Sequence, residues 1–157
     1  MEINNLERFL EKVNSGRTAL GGLVSFTDPA VTELAADAGF DFVFIDGEHG
    51  VMDRNTAMLH LMAVRGTGCA SFYRVPANDH TEIKRVIDFG PAGIIVPMIM
   101  NADDARKAVD AMRYPLTGSR GCGFRRCVAY GAKDIDTYWE TAKKEPLVIL
   151  QIEHIDA

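Results

Sequence analysis

The feature that most constrains this chain is Phe42-Val43-Phe44-Ile45, a continuous apolar run that stops abruptly at Asp46-Gly47-Glu48-His49. A run that does not alternate suits a strand buried on both faces, as in a parallel sheet covered by helices. Further strands are expected at Leu20–Phe26, Ala70–Val75, Gly93–Met98 and Leu147–Glu153. Between them lie segments with helical spacing. Asp28-Pro29 opens one with Val31, Leu34, Ala35 and Ala38 as its inward stripe, and Gly39 closes it. A second runs from Asn55 to Val64, where Met58 and Met62 read as core filling and His60 as a surface residue. Asp79 and Glu82 have capping-box spacing ahead of Ile83, Val86 and Ile87. Asp103 or Asp104 starts a helix that turns Ala105, Ala108, Val109 and Met112 inward. Leu6, Phe9, Leu10 and Val13 mark an opening helix. A glycine- and arginine-rich stretch from Arg113 to Gly131 precedes a short helix at Ile135–Lys143.

Strict strand–helix alternation predicts parallel strands joined by right-handed crossovers, in an α/β fold. An open doubly wound sheet and a (β/α)8 barrel compete. No GxGxxG turn follows the first strand, which disfavours a dinucleotide-binding sheet. Functional side chains gather instead at the ends of several strands, the habit of barrels. A barrel needs eight strands and about 250 residues. Residues 1–157 are therefore expected to form a single incomplete barrel domain that supplies about the first five strands.

Composition closes off other classes. The chain has 17 Lys plus Arg and 22 Asp plus Glu, a net charge of −5, so no nucleic-acid partner is expected. The longest nearly apolar run, Pro91–Met100, is too short to cross a bilayer, and no secretory signal is expected from the start MEINNLERFLEKV, which has no basic segment followed by an apolar one. Three cysteines without a CxxC pair suit reduced thiols in the cytoplasm.

The strand ends carry the candidate chemistry. His49 suits a general base with a carboxylate beside it, or else belongs to a solvated acidic turn. Glu153, at the tip of an apolar strand, suits an oxygen ligand of a hard divalent cation or the cap of a following helix. Gln151 shares its strand face. Arg74 suits a developing oxyanion, or a structural ion pair. Asp88, late in its helix, lies against the dipole preference for cations and so hints at a specific partner. The segment Tyr114–Arg126 could wrap an anion or line a subunit interface. It lacks the phosphate-loop ending, and Cys122 lacks a partner that would make it a nucleophile.

Four stretches, DPAVTELAADAGFDFVFIDGEHG, YRVPANDHTEIKRVIDFGPAGIIVPM, RYPLTGSRGCGF and LQIE, together resemble the HpcH/HpaI aldolase family. The similarity runs from about Gly21 to Glu153. It implies a TIM barrel and a class II, metal-dependent lyase that cleaves a 2-keto-4-hydroxy acid, such as a 2-keto-3-deoxy sugar acid, to pyruvate and an aldehyde. By motif, the resemblance makes His49 the acid/base residue and Asp88 its carboxylate partner. Arg74 stabilises the enolate oxygen, Gln151 lies in the substrate site and Asp46 supports the same mouth. Glu153 becomes a ligand of Mg²⁺, Mn²⁺ or Co²⁺. The family's second metal carboxylate comes from the next strand, beyond Ala157. The resemblance also implies a homo-oligomer. Two alternatives stand beside it: a catalytically inert truncated product, and a relative of the citryl- or malyl-CoA lyases.

Overall fold

The computed structural model describes residues 3–157. Eleven regular elements follow one another as α1 (Leu6–Asn14), β1 (Gly21–Val24), α2 (Ala30–Asp37), β2 (Phe42–Asp46), α3 (Arg54–Ala63), β3 (Ala70–Arg74), α4 (His80–Ile87), β4 (Gly93–Ile99), α5 (Ala102–Met112), α6 (Ile135–Ala142) and β5 (Leu147–Ile152). A 3₁₀ turn, Arg126–Gly131, interrupts the long connection before α6. The five strands are parallel and lie in chain order, β1-β2-β3-β4-β5. A doubly wound sheet reverses its order at a switch point, and this sheet does not. Successive right-handed crossovers in one direction put the helices on one face and curl the sheet, as in a barrel. Among the described residues β1 and β5 each have one neighbouring strand.

The two faces carry two cores. Val24, Val43, Ile45, Tyr73, Ile94 and Val96 face the helices and pack with residues such as Ala57, Leu61, Ile83, Ile87, Ala108 and Met112. The opposite, inward face carries Ala70, Phe72 and Ile95, joined by Phe42, Phe44, Leu147 and Ile149. Leu6, Phe9 and Leu10 of α1 pack against this inward face. The Phe9 ring stands edge-on to Phe42 at 5.6 Å and to Phe72 at 5.0 Å. The apolar part of the inward face is thereby covered by α1, while the polar residues at the strands' C-terminal ends stay clear of it.

Capping explains where the helices start, with some differences from expectation. Asp79 accepts from the Thr81 and Glu82 amides at 2.7 and 3.2 Å. The box is half formed, because the Asp79 amide donates to Ala77 and Glu82 pairs with Arg85. Asn101, not Asp103 or Asp104, caps α5 and accepts from both aspartate amides. In α2 the inward residues are Thr32, Ala35 and Ala36, while Leu34 is 66% exposed. A slot this close to the sheet takes small side chains. His60 is fully buried, its Nδ1 2.6 Å from Thr32 Oγ1, and burial pulls its pKa down. Met62 is exposed, as is Val109, whose expected inward place in α5 is taken by Ala111.

Arg126 locks the long connection to the body. Its guanidinium is buried, donating to the Phe89 carbonyl and, at 2.7 Å, to the Leu61 carbonyl. These acceptors lie by the C-terminal ends of α4 and α3, where helix carbonyls lack intrahelical partners and favour a cation.

Candidate functional site

Parallel pairing in register sets Asp46 of β2 directly opposite Arg74 of β3. Both follow the inward-facing alternation of their strands, through Phe42 and Phe44, and through Ala70 and Phe72. The Arg74 fork is bidentate: Nε lies 2.9 Å from Asp46 Oδ1, and Nη2 lies 2.7 Å from Oδ2. Nη1 is 3.0 Å from Glu48 Oε2 and donates to Gln151 Oε1 at 3.3 Å. Below, the guanidinium carbon sits 5.0 Å from the Phe44 ring centroid. Three strand ends thus converge on one guanidinium, and its planar fork is fixed before any ligand arrives.

The turn after β2 is built by the same aspartate. Asp46 Oδ1 also accepts from the Glu48 and His49 amides, at 3.0 and 3.2 Å. The Gly47 amide donates to the Arg74 carbonyl at 2.9 Å. A Cβ at position 47 would collide with the Tyr73 hydroxyl and lie 2.6 Å from the Arg74 carbonyl oxygen. Backbone cannot yield as a flexible side chain does. Gly47→Ala is therefore expected to cost about 1–3 kcal/mol, read as a lower urea midpoint with unchanged slope. His49 lies on the rim, with its ring 75% exposed and its Nε2 3.7 Å from Glu48 Oε2.

Glu153 reaches the same mouth by a different route. The β4–β5 register breaks between Val96 and Ile99, and Met98 has φ +57°. This bulge frees the Met98 amide from the ladder, and it donates to Glu153 Oε2. The Glu153 amide in turn donates to the Ile99 carbonyl at 3.2 Å.

Opposed charges govern the site. Burial works to raise the Asp46 pKa, but the Arg74 hydrogen bonds and the two turn amides outweigh it and hold the carboxyl below the usual aspartate range. The Asp46 hydrogen bonds raise the Arg74 pKa against burial, with Glu48 and Glu153 adding to the effect. A depressed carboxylate stabilises the fold above its unfolded pKa, and that stability is lost as pH falls through the folded value. Asp46→Asn should therefore lower the denaturation midpoint at neutral pH. Its gap from wild type should close as the pH drops below about 4, the ordinary aspartate value.

Two carboxylates, Asp46 and Glu48, touch the single guanidinium and the charge of Glu153 acts on it from farther off, so acidic groups outnumber the cation. A divalent cation would offset that excess. Glu153, an exposed carboxylate whose Oε2 accepts from the Met98 amide, fits as one oxygen ligand. Among the described residues no three His, Cys, Asp or Glu side chains gather into a metal site, so Glu153 is a partial donor set.

Of the residues expected at this mouth, the structure brings together Asp46, Arg74, Gln151, Glu153 and, at the rim, His49. It does not bring Asp88. That residue ends α4, which runs back from β3, so it lies at the opposite pole of the sheet. Its Oδ1 is 3.5 Å from Arg120 Nη2, and burial raises its pKa against the pull of Arg120. Within this chain the carboxylate beside His49 is Glu48. Sequence reasoning did not assign Glu48 a role, although it sits in the same four-residue turn. It also missed the Met98 amide, for which Pro97 inside a strand was the available signal of a bulge.

Comparison with known proteins identifies the family. The family model described as HpcH/HpaI aldolase/citrate lyase matches residues 22–157. The chain is 37% identical over 145 residues to a hydroxypyruvate/pyruvate aldolase of Roseovarius nubinhibens, covering 92% of this chain and 56% of that protein. It is 36% identical over 149 residues to a 4-hydroxy-2-oxo-heptane-1,7-dioate aldolase of Escherichia coli, covering 95% and 57%. The crystal structure of an HpcH/HpaI aldolase/citrate lyase family protein from Burkholderia cenocepacia superposes with a TM-score of 0.83 at 30% identity, over 97% of this chain and 61% of that one. An HpcH/HpaI aldolase from Desulfitobacterium hafniense shares the fold, with a TM-score of 0.84 at 24% identity over 94% and 57%. The chain thus spans little more than half the length of these relatives. With its sheet order and strand-end cluster, it belongs to the HpcH/HpaI aldolase/citrate lyase family.

Proposed function

We propose that this chain supplies most of the active-site mouth of an aldolase that cleaves a 2-keto-4-hydroxy acid to pyruvate and an aldehyde. The observation that carries the reading is Arg74, clamped by Asp46 with its Nη1 between Glu48 and Gln151 at the strand ends. Nη1 lies outside the Asp46 clamp, and of its two contacts, Glu48 Oε2 at 3.0 Å and Gln151 Oε1 at 3.3 Å, the longer one to Gln151 is exchanged for a substrate oxygen. Asp46 keeps the rest of the fork in place meanwhile. His49, exposed on the rim, takes the proton of the C4 hydroxyl, directly or through one water. The C3–C4 bond then breaks, its electron pair passes into the enolate, and the aldehyde leaves. Arg74 holds the enolate oxygen by a charge-assisted hydrogen bond. Protonation of C3 completes pyruvate. Glu153, with ligands from outside these residues, would hold the divalent cation (Mg²⁺, Mn²⁺ or Co²⁺). When bound, that cation supplies Lewis-acid polarisation of the keto oxygen.

The reading carries a small keto acid as partner, a homo-oligomer and a cytoplasmic setting. No described helix is long and apolar enough to cross a membrane. The test joins residues 1–157 to the C-terminal portion of the E. coli relative and follows pyruvate release from 4-hydroxy-2-oxo acids with Mn²⁺. Release of pyruvate with stoichiometric aldehyde supports the proposal; a folded fusion that binds Mn²⁺ without cleavage contradicts it. The 157 residues alone are expected to show little or no turnover, because among the described residues no three His, Cys, Asp or Glu side chains form a group that could hold the cation.

A further inference from the structure

At the pole of the sheet opposite the mouth lies a cavity of about 450 Å³. That volume falls within the range of small-molecule sites. Its walls come from Asn4, ahead of α1, the Gly90-Pro91 loop before β4, the 3₁₀ turn, α6 and Pro146 before β5. None of these elements contributes to the Arg74 cluster. Three cations line it, Arg65, Arg120 and Lys133, against two carboxylates, Asp134 and Glu145. Asp134 is committed to α6, where it accepts from the Thr137 amide and hydroxyl, both at 2.9 Å.

Arg120 is the informative residue. Its side chain is 2% exposed, and Nη2 contacts the Tyr138 hydroxyl at 3.1 Å and Asp88 at 3.5 Å. Its guanidinium carbon stacks 4.3 Å from the Tyr114 ring centroid. Yet the buried Nε has no hydrogen-bond partner among the described residues, nor does the buried Nε of Arg65. A buried guanidinium N–H left unmade is costly, and two on the walls of one cavity call for an acceptor inside it. Lys133 adds a third donor, its Nζ 5.9 Å from the Tyr138 ring centroid. Ile3, Ile87, Pro91, Ala142 and Pro146 give the remaining walls an apolar character.

We infer that this cavity is a second ligand site, for a small organic oxyanion whose carboxylate or phosphate meets Arg120, Arg65 and Lys133 and whose short apolar body lies against the aliphatic wall. It stands independently of the reaction at the mouth.

The test titrates the 157-residue chain with butyrate, butanol and inorganic phosphate at fixed ionic strength, following backbone amide NMR shifts. Butyrate should give saturable shifts at Ala129, Ala132, Thr137 and their neighbours, with a dissociation constant on the order of 1–10 mM for so small a ligand. Butanol should give none that saturate. Lys133→Met, a change at a half-exposed position, should weaken butyrate about tenfold, as loss of one charge-assisted contact does. Arg120→Gln should abolish saturation; if that variant unfolds, Lys133→Met decides. Tighter binding of phosphate or of butyrate assigns the source of the oxyanion, and either supports the site. Shifts matched by butanol, unchanged in Lys133→Met, or confined to Gly47 and His49 at the mouth would overturn it.

Discussion

Arg74→Ala, placed in a complete barrel with the E. coli C-terminal portion, is expected to lower kcat for pyruvate formation by about 10²–10³-fold. Asp46 takes two of the three guanidinium nitrogens, and Nη1, between Glu48 and Gln151, exchanges its longer bond to Gln151 for the keto oxygen as charge develops there. Removing the guanidinium also leaves Asp46 and Glu48 without their shared counter-ion, so the mouth itself should loosen. Arg74→Lys separates the two effects. It keeps a positive charge beside Asp46 but loses the planar fork, so it should preserve the fold better than alanine while recovering little of the rate. A kcat within a factor of three of wild type in either variant would contradict the assigned role.

His49→Ala is expected to reduce kcat by about 10²–10⁴-fold, the range typical of a lost general base. Stability should barely change, because the ring is largely exposed and contacts Glu48 only at 3.7 Å. Steady-state pyruvate release and urea unfolding together check this. A rate loss accompanied by an equal loss of stability would mark His49 as a structural residue of the turn. Added imidazole restoring part of the rate would support direct proton transfer.

These effects show which parts of the molecule were legible beforehand. Phe42–Ile45 revealed a two-faced buried strand because burial on both sides removes polar alternation, a purely local signature. Asp79 announced α4 because a cap acts within three residues. The chemistry-bearing strand ends were legible for the same reason, since Asp46, Arg74 and Glu153 each follow an apolar run. Their convergence was not. It depends on the Asp46–Arg74 register and on the β4 bulge at Met98, both relations between distant segments. Burial of Thr32 and His60 in place of Leu34 was hidden likewise, because the face a helix buries is set by the shape of what it packs on. Asp88 shows the converse. Its unfavourable helical position did signal a partner, and within this chain that partner is Arg120 at the far pole, not His49.

In the proposed reaction a divalent ion held at Glu153 lets carbon–carbon scission proceed beside Arg74. Chelation in the fused barrel checks whether the ion is needed. Pyruvate release should fall to background when EDTA removes Mn²⁺, return when Mn²⁺ is restored, and stay at background in Glu153→Gln at the same metal concentration. Activity that survives chelation, or that Glu153→Gln leaves unchanged, would contradict the account.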